Sequence, residues 1–236
     1  AILSVGGNVE LTGAEISSNS AFGTNNSNGD GHRGFGGAVA IYSGSLFVND
    51  SSFSNNLARG GDGASGDSGV IEDGGVDGGD GRNGGIAYGG AVFADNAQVV
   101  VGGATFTSNR ARAGFGGAGG AGGSGAGGAV GGQGADGGEG GEAGGGAIFL
   151  KQGSLSVSDS SLTGNSAVGG DSGRAGEGGE GGEAVGGAIA AQGARGGESP
   201  DAGDATGGAI SVELGGVTVT RSSVVGNLAQ GGTGRS

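Results

Sequence analysis

Apolar positions recur along this chain in a fixed template, x-x-φ-x-φ-x-x-x-x-φ-x-x-N-x-A, where φ is apolar. Its five copies are Gly7–Ala21, Gly44–Ala58, Ala97–Ala111, Gly153–Ala167 and Gly215–Ala229. The first two apolar sites are two residues apart, as in Val9 and Leu11, Leu46 and Val48, Val99 and Val101, Leu155 and Val157, and Val217 and Val219. Alternation rich in Val and bounded by Gly predicts a short strand. The third apolar site is Ile16, Phe53, Phe106, Leu162 or Val224. Three residues further on stands Asn19, Asn56, Asn109, Asn165 or Asn227, followed by Ala21, Ala58, Ala111, Ala167 or Ala229. One such unit cannot bury its apolar face alone, so the units must stack as a solenoid.

A second signature, Gly-Gly-Ala-Ile/Val, precedes four of the copies at Gly36–Val39, Gly89–Val92, Gly145–Ile148 and Gly207–Ile210, with another at Gly186–Ile189. Together the two signatures predict an all-β fold, a right-handed parallel β-helix with essentially no α-helix, spanning 1–236 as one domain. Stacking sets equivalent positions about 4.8 Å apart, which makes each template column a ladder of like side chains. Asn suits such a column, because its amide donates in one direction and its carbonyl accepts from the other; it also tolerates the left-handed backbone of a corner. The Asn column is therefore expected to be a structural ladder beneath the core ladder of Ile16, Phe53, Phe106, Leu162 and Val224.

Between the copies lie Gly-rich inserts at 22–35, 59–88, 112–144 and 168–206. In 116–144 the glycines fall in triplets. A disordered linker has no use for a triplet phase, whereas a polyproline-II-type chain turns once every three residues. The inserts are thus expected to form ordered, extended bundles.

Composition narrows the function. Of 236 residues 70 are Gly and one is Pro, which excludes collagen, and there is no Cys, Met or Trp. Thiolate metal sites and disulfides are excluded. The net charge of −13 argues against nucleic acid and anionic membranes, and no apolar run approaches a bilayer span. Most acidic residues lie in the inserts, where they read as solvated charge. Ala1-Ile2 looks like the tail of a Gly-Gly-Ala-Ile signature, and 231–236 stop where another would begin, so a segment cut in phase from a longer chain, or a subunit whose ends continue into neighbours, is expected.

Candidate chemistry is thin. Gly66–Gly69 (GDSG) resembles a serine-protease nucleophile motif, yet the only His, His32, reads as a surface residue of the first insert. No cofactor is expected. Calcium is the one metal considered, with Asp73, Asp77, Asp80 and Asp136 as weak oxygen ligands. The nonapeptide calcium repeat that 131–136 begins fails at Gly138. Scattered Lys and Arg give no carboxylate–Arg groove for a polysaccharide lyase, so no enzyme activity is expected.

Phe53-x-x-Asn56 and Phe106-x-x-Asn109, with the Gly-Gly-Ala-Ile signature, resemble the repeats of the polymorphic outer-membrane proteins and related autotransporter adhesins. Ile16, Leu162 and Val224 replace Phe in the other copies. The resemblance implies a right-handed parallel β-helix displayed at the cell surface, often adhesive. The triplet inserts lie outside it and are similar to the polyglycine bundles of phage tail-tip adhesins and glycine-rich antifreeze proteins. The expectation is an extracellular structural protein that self-associates end to end into a surface filament. The alternatives are an adhesin that binds host or neighbouring cell-surface ligands through the inserts, an ice-binding protein, for which Thr is sparse, and a lyase.

Overall fold

The computed structural model describes residues 1–71, 74–182 and 192–235. The Gly186–Ile189 signature, the calcium candidate Asp73 and the insert residues Glu72 and Glu183 lie outside them.

The first coil comprises β1 (Ile2–Thr12), β2 (Glu15–Ser17) and β3 (Ser20–Phe22). Four-stranded coils follow: β4 (Gly34–Phe35), β5 (Val39–Asn49), β6 (Ser52–Ser54) and β7 (Leu57–Arg59); then β8 (Ala87–Tyr88), β9 (Val92–Gly102), β10 (Thr105–Thr107) and β11 (Arg110–Arg112). The next holds β12 (Ala143–Gly144), β13 (Ile148–Ser158), β14 (Ser161–Thr163) and β15 (Ser166–Val168), and the last β16 (Ala205–Thr206), β17 (Ile210–Thr220), β18 (Ser223–Val225) and β19 (Leu228–Gln230). Equivalent strands pair in parallel, giving sheets β1-β5-β9-β13-β17, β2-β6-β10-β14-β18, β3-β7-β11-β15-β19 and β4-β8-β12-β16. Among the described residues there is no helix, so the all-β parallel solenoid is the architecture.

Register holds although coil length does not. Successive ladder steps span 37, 53, 56 and 62 residues. The last three spacings differ by whole triplets, so the inserts absorb every change in length. Val9, Leu46, Val99, Leu155 and Val217 stand in register, as do Ile16, Phe53, Phe106, Leu162 and Val224. The middle coils bury these side chains completely, and Phe53 and Phe106 stack at 4.7 Å. In the last coil Val217, Val219 and Val224 are 49, 43 and 47% exposed, because no further coil covers them.

Two local readings are corrected. The strand that carries the first two apolar sites is not short: in β1, β5, β9, β13 and β17 it runs from the end of the Gly-Gly-Ala-Ile signature into the template, eleven residues in all. The left-handed residue at the corner is not the Asn but its predecessor: Ser18, Asn55, Ser108, Gly164 and Gly226 have φ between 55 and 65°. Asn at the column is selected for its amide alone.

The Gly-Gly-Ala-Ile/Val signature has a steric reason. Its first Gly is left-handed, with φ of 57 to 68° at Gly36, Gly89, Gly145 and Gly207. A Cβ on its second Gly would meet backbone of the same coil's third sheet: at Gly90, the Arg110 carbon and nitrogen at 2.5 Å. The signature is the point where the chain returning from an insert crosses tightly into the core.

Candidate functional site

The Asn ladder is a continuous hydrogen-bond network. Asn56 donates from its backbone N–H and from Nδ2 to Asn109 Oδ1 at 3.1 and 2.9 Å, and from Nδ2 back to the Ile16 carbonyl at 3.0 Å. Asn109 repeats this toward Asn165 and Phe53, and Asn165 toward Asn227 and Phe106. Asn109 and Asn165 are fully buried, and each has every polar atom of its amide partnered, which is the condition for burying one without penalty. The ladder is polar: one end presents Asn19 Oδ1, which here accepts from the Ala1 amino group, and the other presents the Asn227 backbone N–H, while Asn227 Nδ2 donates to the Leu162 and Val225 carbonyls.

The sequence reading missed a second ladder at the preceding corner. Ala14 and Ala104 donate their N–H to Ser51 and Ser160 Oγ, and Ser160 N–H donates to Ser222 Oγ. Its signal is small: a Ser or Ala two residues before the third apolar site. The corner is marked by left-handed Gly13, Asp50, Gly103, Asp159 and Arg221. Arg221 holds Asp159 in a two-pronged ion pair at 2.7 Å, which lowers the pKa of the carboxyl.

In the described residues the inserts leave after β3, β7, β11 and β15 and return before β4, β8, β12 and β16, building a two-layer fin. Outgoing chains form one layer and returning chains the other. The period-three logic is explicit in the middle insert. Gly114, Gly117, Gly120 and Gly123 donate to carbonyls of the previous insert's returning chain: Gly85, Arg82, Gly79 and Val76. Gly116, Gly119, Gly122 and Gly125 donate to the next outgoing chain: Asp171, Arg174, Glu177 and Glu180. Phe115, Ala118, Ala121 and Ser124 fill the third phase, turned away from both. A Cβ at Gly117 or Gly120 would sit 1.8 or 1.9 Å from a carbonyl oxygen, so these positions admit no side chain. Asp67 and Val70 occupy the inner phase where the short 22–35 insert no longer reaches, whereas Ala64 still donates its N–H to the Gly29 carbonyl.

The third phase leaves one N–H per turn without a carbonyl, and at eight positions an Asp or Asn side chain accepts from it. Asp77 Oδ1 accepts from Gln133 N–H at 2.6 Å, Asp136 Oδ1 from Glu198 at 2.6 Å, and Asp80 Oδ1 from Asp136 at 3.4 Å. Asp30 and Asn83 continue the pattern on the returning layer, and Asn25, Asp62 and Asp171 on the outgoing one. The calcium candidates Asp77, Asp80 and Asp136 are therefore interchain hooks, each aimed at a neighbouring backbone. Among the described residues no group of three or more His, Asp or Glu converges on a point. Asp171 shows the electrostatics: burial opposes ionisation, but the Thr233 N–H and Arg235 guanidinium outweigh it and lower the pKa. The Gly66–Gly69 motif lies on an outgoing chain, and His32 Nδ1 lies 2.6 Å from Thr24 Oγ1 on the first insert.

Where fin meets solenoid, aromatics interleave. Phe35 and Tyr88 occupy one column, and Phe93 and Phe149 the adjacent one. Phe35 stacks on Phe93 at 4.5 Å and Tyr88 on Phe149 at 4.0 Å. Small partners make the room: Ala40 shares the column of Phe93, and the Phe149 ring occupies the space a Gly144 Cβ would need. Burial first, then the hydrogen bond to Glu142 at 2.9 Å, raise the Tyr88 phenol's pKa, so it is a standing donor.

These features define a class: a parallel β-solenoid carrying a polyglycine fin. No family model and no curated protein matches the chain. A solved structure similar over 83% of this chain and 98% of its own is the springtail antifreeze protein from Granisotoma rainieri, a bundle of nine polyproline type II helices. Identity is 20% and the TM-score 0.18. No helix among the described residues is long and apolar enough to cross a membrane.

Proposed function

We propose that the chain is a structural segment of an extracellular fibre at a cell surface, lengthened by coils that add end to end. The observation that carries this reading is the complementarity of the two solenoid faces. One presents Asn19 Oδ1, the acceptor end of the Asn ladder, and the other the Asn227 backbone N–H, and each has strands paired on one side only. Such faces join head to tail, and heterologous contacts that do not close generate fibres. Coils of the same chain or of a second copy satisfy them equally, and self-association is the finer proposal. The resemblance to autotransporter-type adhesins supports display at the surface. Nothing in the described site arranges a nucleophile, base and orienting group, and the reading assigns no catalysis.

The test is polymerisation of the purified chain, followed by light scattering over a concentration series and by negative-stain microscopy. Head-to-tail fibres are expected, shortened in Asn227→Leu and in Asn19→Leu. Monomers at every concentration overturn self-association.

An adhesive role for the fin is the second reading, favoured by its side-chain-bearing outer faces. Deleting 116–144 is a poor test of it. That insert bonds to both neighbours, so its removal strips hydrogen bonds from the whole fin. Charge reversal at exposed third-phase residues such as Glu177 and Glu180 is the cleaner probe, with loss of cell attachment expected.

A further inference from the structure

A groove runs along the solenoid axis at the root of the fin, and neither the fibre nor the fin faces account for it. Three depressions of about 330, 360 and 270 Å³ lie end to end there. The first two share Phe35 and Tyr42, and the second and third share Tyr88 and Glu213. Together they make one continuous trough crossing the coils.

Its floor is the aromatic interleaf. Tyr42 and Tyr88 are half-buried over Phe93 and Phe149. Tyr42 is turned 50° out of the plane of Phe93, unlike the near-parallel rings beside it. Polar groups stand along the same trough: Lys151 paired to Asp95 at 3.0 Å, Glu142 held by the Tyr88 hydroxyl, Glu213 and Arg33.

We propose that this trough binds a neutral, extended oligosaccharide. Sugars present apolar C–H faces edged by hydroxyls, which need aromatic surface beside groups that both donate and accept. The trough supplies both at the second and third coils, where the half-buried Phe35, Tyr42 and Tyr88 stand beside Arg33, Asp95 and Glu142. A peptide has no comparable partner: in the middle coils β5, β9 and β13 are paired on both sides, so no strand edge is open for added main chain. A polyanion is disfavoured, because Asp95, Glu142, Asp204 and Glu213 outnumber Arg33 and Lys151. Repetition with the coil spacing suits a repeating ligand, one subsite following another along the axis.

The experiment uses the whole chain and a panel of neutral cello-, xylo-, manno- and chito-oligosaccharides, with polygalacturonate as the anionic control. Binding is read by calorimetry and by quenching of tyrosine fluorescence, since the chain has two Tyr and no Trp. At least one neutral oligosaccharide is expected to bind and to tighten with length. Tyr42→Ala should weaken it about tenfold, and Tyr88→Phe, which keeps the ring, less than Tyr88→Ala. Thermal melts of each variant separate lost binding from lost folding. Tyr42→Phe, which keeps a ring at that site, should restore most of the affinity lost in Tyr42→Ala. Failure of every neutral sugar at millimolar concentration overturns the proposal, as does binding by polygalacturonate alone or affinity unchanged in both Tyr→Ala variants. None of these outcomes touches the fibre reading, which is scored by polymerisation.

Discussion

The solenoid body and the fin solve the same packing problem with opposite means. In the body, side chains stack in columns and bury one another, so residue identity is specified at every rung. In the fin, backbone packs on backbone, and what is specified is the absence of a side chain in two phases of three. Mutations in the body should therefore act through cavities and unpaired groups, and mutations in the fin through collision.

Phe106→Ala should break the comparison hardest. It removes a fully buried ring stacked on Phe53 and should cost about 3–5 kcal/mol, read as an early thermal transition of the body. Asn109→Ala comes next. It leaves the Asn56 donors and the Phe53 carbonyl unpaired in a buried site, and about 3 kcal/mol is expected by urea denaturation. Gly120→Ala places a methyl 1.9 Å from the Asp67 carbonyl and should cost about 1–3 kcal/mol. Its signature is location: hydrogen exchange should accelerate in 60–85 and 170–182 while β9 and β13 stay protected. Uniform acceleration in body and fin would show that the two do not separate.

Asp136→Ala should be milder, about 1 kcal/mol, because one exposed N–H at Glu198 loses its acceptor to water. Asp136→Asn keeps the oxygen and should restore stability, which distinguishes a hook from a charge. The smallest effect is titration at Asp171. Its folded pKa is lowered, so its contribution is present above the ordinary carboxylate range, about pH 4, and fades as pH falls through the lower folded value. Exchange at Thr233 and Arg235 should rise on acidification, and Asp171→Asn should abolish that dependence.

The Asn offset and the Gly-Gly-Ala signature were legible because every rung repeats them. Triplet phase was legible in 116–144 for the same reason. The hooks were not. Asp and Glu look alike as charges, and only the accounting of the third N–H separates Asp77 and Asp136 from merely solvated residues. The aromatic interleaf was hidden because Phe35 and Tyr88 belong to one column and Phe93 and Phe149 to another. Their contact is diagonal between columns, and no single-template alignment displays it. The Ser51–Ser160–Ser222 ladder was masked by Ala14 and Ala104, which fit the same corner without contributing a hydroxyl.

Fin hydrogen bonds link successive inserts at a distance from the axis on which the coils stack. Bending the body away from the fin must stretch those outlying bonds, whereas bending across its thin two-layer face scarcely strains them. The molecule is thus a ribbed beam, stiff in the plane of its rib and compliant across it. A fibre made of such units would flex in one preferred direction.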